Sequence, residues 1–186
     1  MARPLAVAVT GGIGAGKSET LKAFARRGVP TLSADAVVHR LIAEDPDVRD
    51  ALEQRFGTTD RGRIGEIVFG DPEQLAWLEA LLHPRVRDVE AEWLAGLEAP
   101  VAVTEIPLLF ETGSESRFDA VVVVTAPPEV RATRSPASTG PRSGRLTADE
   151  EKLAKADFAF VNDGSLEALD AFVDGVLEQL RRRCAG

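Results

Sequence analysis

The sequence predicts an α/β protein whose parallel sheet is covered on both faces. Three observations carry that prediction. A short apolar, β-branched run, Leu5–Thr10, opens the chain and leads straight into a glycine-rich turn. A helical pattern follows the glycines, and then a second short strand, "VPTLSAD" (29–35), which together make a βαβ unit. Further strand-like runs, "VAVTEI" (101–106), "AVVVVTA" (120–126) and "FAFV" (158–161), recur later between helical patterns.

Taken in order, the first helix carries Leu21, Phe24 and Ala25 at helical spacing, and Gly28 supplies its stop. From 36 to 98 the pattern is helical. Val38, Leu41 and Ile42 share one face; Asp45-Pro46 starts a helix bearing Val48, Leu52 and Phe56; Asp71-Pro72 repeats the device before Leu75, Leu78 and Leu82. His83-Pro84 is expected to break that helix, with Val86, Val89, Trp93 and Leu97 marking the next. A helical block set between strands reads as a subdomain that covers a substrate. "PLLFETGSESRFD" (107–119) reads as a loop. "SPASTGPRSG" (135–144) is too rich in Ser, Pro, Gly and Thr to pack a core and is expected to be mobile. The closing helix presents Leu166, Leu169, Phe172, Val173, Val176, Leu177 and Leu180 as its buried stripe, with Arg181–Arg183 at the end where cations suit the helix dipole.

The bulk numbers narrow the partners. The chain has 186 residues, and Lys+Arg 22 against Asp+Glu 30 leaves a net charge of −8. Nucleic acids and anionic membranes are bound through positive patches, so neither is expected as a partner. The single cysteine, Cys184, permits no intramolecular disulfide and fits a reducing compartment. The apolar run near the N-terminus is too short for a signal peptide or a membrane span, so a cytoplasmic location is expected.

The chemistry begins at "GGIGAGKS" (11–18), which fits G-x-x-x-x-G-K-[ST] in full, with a buried strand before it and a helix after it. Glycines let successive backbone N–H groups turn inward around phosphate oxygens beside a helix N-terminus. Lys17 can then reach the β- and γ-phosphates, and the Ser18 hydroxyl can meet Mg²⁺. Gly11, Gly12, Ile13, Gly14, Ala15, Gly16, Lys17, Ser18 and Glu19 are thus expected to bind ATP, the Glu19 carboxylate pointing to solvent. No Asn-Lys-x-Asp element reads guanine, and the chain is short for a motor or transporter ATPase. A small-molecule kinase would need a carboxylate near the acceptor hydroxyl and arginines near the transferring phosphoryl group. Asp35 is either that carboxylate or an N-cap of the following helix.

The segments "TGGIGAGKS" (10–18), "SAD" (33–35), "LEALLHPRVR" (78–87), "EIPLLFETG" (105–113) and "ADFAFVNDGSLEAL" (156–169) resemble the dephospho-CoA kinase family, in its order and over most of the chain outside 135–144. The "HP" and "PLLFE" elements are more discriminating than the phosphate loop. The resemblance implies a three-layer α/β/α P-loop kinase fold with a parallel five-stranded sheet, an inserted helical substrate domain and a lid. It divides the chain into a nucleotide-binding core (1–35, 99–130 and 156–186), a helical subdomain for the CoA moiety (36–98) and a lid region (131–155). The implied reaction moves the ATP γ-phosphoryl group to the ribose 3′-hydroxyl of dephospho-CoA, the last step of coenzyme A synthesis. The protein acting would be a monomer or small homo-oligomer. Asp35, Lys17 and Arg134 become the catalytic candidates; Arg131 and Asn162 join the ATP set; Asp35, His83, Pro107, Leu108, Phe110 and Glu111 form the substrate set; Ser18 and Glu105 are the candidates for Mg²⁺.

Two departures stand out. Ser33 replaces the first acid of the family's "DAD". The lid's helical part, with its arginines and a Gln before "EEK" (150–152), is replaced by 135–144, leaving Arg131, Arg134, Arg142 and Arg145 as the cations at hand. Relatives often carry Asp where Glu105 stands. The competing readings are a kinase for another ribose or nucleoside hydroxyl, and a non-catalytic ATP-binding module with a decayed lid.

Overall fold

The computed structural model describes residues 3–134 and 147–185. Five strands, β1 (Leu5–Gly11), β2 (Thr31–Ser33), β3 (Val101–Glu105), β4 (Ala120–Thr125) and β5 (Phe158–Val161), form one sheet in the order β2-β3-β1-β4-β5. Every pairing is parallel. The first strand therefore sits at the centre, and its C-terminal end opens into the glycine turn.

Alternation along the strands sorts the core into two faces. Val7, Val9, Val103, Val122 and Val124 meet Phe24 of α1 (Lys17–Arg26) and Leu169, Val173, Val176, Leu177 and Leu180 of α8 (Leu166–Ala185). Ala8, Val121 and Val123 face the other way, onto Leu109 and Phe110, with Leu153 of α7 (Asp149–Ala154) against them. The result is three layers, α/β/α. A 3₁₀ turn, Glu115–Arg117, and α6 (Pro128–Arg134) complete the elements around the sheet. Among the described residues no helix is long and apolar enough to cross a membrane.

The chain divides into two compact units, Met1–Ser33 with Gly96–Gly186, and Ala34–Ala95. The second unit is helical: α2 (Ala34–Glu44), α3 (Pro46–Phe56), α4 (Arg61–Phe69) and α5 (Pro72–Ala95). Its buried apolar residues include Val37, Leu41, Ile42, Val48, Leu52, Ile64, Val68 and Leu82. Phe56 meets Trp77 edge-on, with ring centroids 5.3 Å apart. Asp45 caps α3 as expected, accepting the Val48 N–H at 3.0 Å ahead of Pro46.

Several expectations need correction. The second strand is only Thr31–Ser33, and the helix starts at Ala34, so Asp35 lies in the first turn of α2 instead of ending a strand. Pro84 does not break its helix: α5 runs through it. A helical proline removes one N–H and crowds the carbonyl one turn back. Here the Arg85 guanidinium donates to the neighbouring Leu81 carbonyl at 2.8 Å, and the remaining turns carry the helix on. The inward residues of α1 are Thr20, Ala23 and Phe24, with Ala25 exposed, because the Thr20 hydroxyl is satisfied by the Gly16 carbonyl at 3.1 Å. Val37 replaces Val38 in the buried stripe of α2, and Leu166, at the start of α8, is exposed. Helix α4 falls within the helical stretch expected over 36–98, but Gly62 and Gly65 dilute its own stripe; its local signal is Asp60, which caps the Arg63 N–H at 2.9 Å, ahead of Ile64 and Val68.

At Gly11, φ is +149°, and a Cβ there would lie 1.9 Å from the Val124 carbonyl oxygen on the adjacent strand. No rotamer relieves a clash with backbone. Gly11→Ala is expected to cost about 3 kcal/mol or more. Thermal unfolding checks this, and an unchanged midpoint would contradict the close approach of β1 to β4.

Candidate active site

The sheet's C-terminal edge gathers the candidate groups of the first unit. The loop after β1 enters α1 through Gly16, whose φ of 103° is left-handed, and the helix's first residues are Lys17 and Ser18. The Lys17 ammonium donates to the Gly12 carbonyl at 3.1 Å, folding the side chain back over the loop. The Ser18 hydroxyl donates to Glu105 Oε1 at 3.2 Å. Glu105 ends β3 and is 5% exposed, so the strand delivers a nearly buried carboxylate to the start of the phosphate-binding helix.

Glu19, an acid at a helix end suited to anions, is drawn away along the helix. Arg26 donates to it at 3.0 Å and Lys22 at 3.4 Å. The Arg26 hydrogen bond leads the causes that hold its carboxyl below the usual range, against a smaller opposing effect of burial. The charge that would repel a phosphate is thereby paired off one to two turns down the helix.

Helix α6 lies against the loop. A Cβ on Gly12 would come within 2.8 Å of Arg131 Nη1, and one on Gly14 within 3.0 Å of the Arg131 carbonyl oxygen. Arg131 in turn pairs with Asp149 of α7 at 2.9 Å. Arg134 Nη2 donates to Asn162 Oδ1 at 3.3 Å. Both arginines expected near the phosphates therefore sit beside the loop, each held by a partner of its own. Arg142, Arg145 and the segment 135–144 lie outside the described residues.

Asn162, just past β5, is 5% exposed. Its backbone N–H donates to the Thr125 carbonyl at 2.7 Å, and its side-chain Nδ2 to the Ala15 carbonyl at 3.0 Å. Its Oδ1 also accepts the Gly164 N–H at 3.1 Å. The sequence pointed to this turn without showing that its side chain reaches into the phosphate loop.

The "PLLFE" stretch divides its work. Pro107 and Leu108 are half-buried, and Leu109 and Phe110 fill the sheet's second face. Glu111 Oε1 accepts the Thr147 N–H at 2.8 Å and lies 3.0 Å from the ammonium of Lys152, which is fully buried. Burial pushes the Glu111 carboxyl upward, but the Lys152 ammonium beside it and hydrogen bonds from its own backbone and Thr147 together outweigh it and leave the group below the ordinary range. The stabilisation from this pair is thus full above the ordinary carboxyl pKa and fades as pH falls through the lowered one. The sequence had offered Glu111 for substrate and gave no sign of Lys152 as its partner.

In the helical unit, Asp35 is exposed on the second residue of α2, inside the helix and past its cap position. His83 is half-buried within α5, one residue before Pro84.

A backbone nest, a lysine, a hydroxyl joined to a strand-end carboxylate and two arginines on one helix are the parts a phosphoryl-transfer site requires. Comparison with known proteins agrees. The family model described as dephospho-CoA kinase matches residues 5–168. The dephospho-CoA kinase of Mesorhizobium japonicum is 42% identical over 191 residues, spanning 95% of this chain and 97% of its own length. That of Deinococcus radiodurans is 41% identical over 194 residues, spanning 95% and 93%. The crystal structure of TT1252 from Thermus thermophilus superposes with a TM-score of 0.82 at 36% identity, covering 96% of this chain and 99% of that one. With the site's geometry and these likenesses in agreement, the chain belongs to the dephospho-CoA kinase family.

Proposed function

We propose that this protein transfers the γ-phosphoryl group of ATP to the ribose 3′-hydroxyl of dephospho-CoA, yielding coenzyme A and ADP. The observation that carries the reading is the Ser18–Glu105 contact at the mouth of the nest. It joins the hydroxyl that follows the motif lysine to a strand-end carboxylate, the oxygen pair a nucleotide-bound Mg²⁺ uses in P-loop enzymes. Among the described residues no cluster of three or more His, Cys, Asp or Glu could hold a metal. A Mg²⁺ here would be carried largely by phosphate oxygens, with Ser18 and Glu105 beside it. Bound there, Mg²⁺ would neutralise charge on the β- and γ-phosphate oxygens.

In this reading the nest binds the phosphates, and Lys17 leaves the Gly12 carbonyl for them. Arg131 and Arg134, one turn apart on α6, spread positive charge over the transferring group. Asp35 accepts or orients the acceptor hydroxyl's proton. His83, Pro107 and Leu108 are the residues assigned to substrate contact, while Phe110 and Glu111 serve the scaffold. The net charge of −8 supports a small-molecule partner over a nucleic acid. A cytoplasmic monomer or small homo-oligomer completes the proposal.

The test is coupled ADP release from purified protein with ATP and dephospho-CoA, with adenosine and finished CoA as controls. Release is expected with dephospho-CoA alone. Equal release with adenosine would assign the protein another ribose hydroxyl; no release with any acceptor would leave a nucleotide-binding module.

A further inference from the structure

The amide of Asn162 bridges two things that the mechanism needs separately. Its Nδ2 donates to the Ala15 carbonyl at 3.0 Å, inside the phosphate loop. Its Oδ1 accepts from the Gly164 N–H at 3.1 Å and from Arg134 at 3.3 Å. Two donors on one side and a carbonyl on the other leave the amide only one satisfied orientation. The contact is also tight: a Cβ on Gly16 would lie 2.1 Å from Asn162 Nδ2. Glycine at 16 thus serves the Asn162 contact as well as the left-handed φ.

A trans peptide plane holds its C=O and the following N–H in opposite directions, and the described chain has no cis bonds. Fixing the Ala15 carbonyl toward Asn162 therefore fixes the Gly16 N–H away from it. We infer that Asn162 is a positioning residue of the phosphate nest: by holding the Ala15 carbonyl, its amide aims the Gly16 N–H at a bound phosphate, and its role is toward phosphate, not toward the nucleotide base. The inference rests on the reading of this loop as the ATP phosphate site. It narrows the place in the ATP set that the family resemblance implies for Asn162 to the phosphates.

The two roles separate by ligand. A group touching the base would matter for ATP against GTP and not at all for inorganic tripolyphosphate, which has no base. A group aiming an N–H at phosphate would matter equally for all three. In Asn162→Ala, binding of ATP, GTP and tripolyphosphate, followed by titration calorimetry, is expected to weaken by a common factor of about 10- to 100-fold, the range for one hydrogen bond to a charged group. Adenosine binding is expected to be unchanged. Asn162→Ser, which keeps a shorter hydroxyl in the site, serves if the alanine variant does not fold, and the same common factor is expected of it. A loss confined to ATP, with tripolyphosphate unaffected, would overturn the inference in favour of a base contact. So would no loss for any ligand in a folded variant. Because these are binding measurements without an acceptor, they stand or fall independently of whether dephospho-CoA is the substrate; failure of the wild type to bind tripolyphosphate would count against the phosphate-site reading itself.

Discussion

Lys17→Ala is expected to lower turnover by roughly 10³-fold or more, the scale seen when a cation on a transferring phosphoryl group is lost. The reason lies in where the ammonium rests. At 3.1 Å from the Gly12 carbonyl it is held by a neutral acceptor of the same loop that is to bind phosphate. An incoming triphosphate offers full negative charge there, a stronger acceptor for the ammonium than a carbonyl dipole. The Gly12 hydrogen bond by itself is worth about 1 kcal/mol, the net value of one ordinary hydrogen bond. A steady-state assay paired with thermal unfolding separates the two. Near-normal turnover in the folded variant would refute the phosphate-site assignment.

Asp35→Asn is expected to depress kcat by roughly 10²- to 10⁴-fold while ATP affinity holds, the range for a positioned acid–base group. The substitution is nearly isosteric, and the residue is exposed on the first turn of α2. An acid there also complements the helix dipole, which makes a structural contribution of about 0.3–1 kcal/mol. The alternative is therefore measurable. A shifted melting temperature with intact kcat would make Asp35 a helix-stabilising residue only, and a collapse of ATP affinity would tie it to the nucleotide.

The parts of this protein that depend on local backbone demands were legible in its sequence. The phosphate loop could be read because its geometry requires glycine at set intervals, and helix α3 because Asp45 and Pro46 perform their capping roles within one turn. What escaped depends on residues far apart in the chain. Nothing near Asn162 announces that its amide meets Ala15, and nothing near Glu111 announces Lys152, since both contacts exist only once β5 and α7 have docked on the sheet. Helix α5 was misjudged for a related reason. Proline's local rule predicts a break at 84, but it removes a single N–H, and the turns on either side continue the helix through it. Thr20 was overlooked because its hydroxyl is satisfied by the preceding turn, so a polar residue occupies an inward position.

The central place of β1 bears on how the chain is made. Leu5 pairs with Val101, and Val7 pairs with Ala120 on the other side. During synthesis, at about 5–20 residues per second, the strand leaves the ribosome on the order of ten seconds before its first neighbour, β3, exists. In that interval an apolar strand with two open edges has no partner, which is the exposure that favours mispairing and chaperone capture. The helical residues Ala34–Ala95 emerge in the meantime, and their contacts are local enough to form early. The nucleotide loop, although translated before all three of them, acquires its shape only after β3, β4 and Asn162 have arrived to hold the nest.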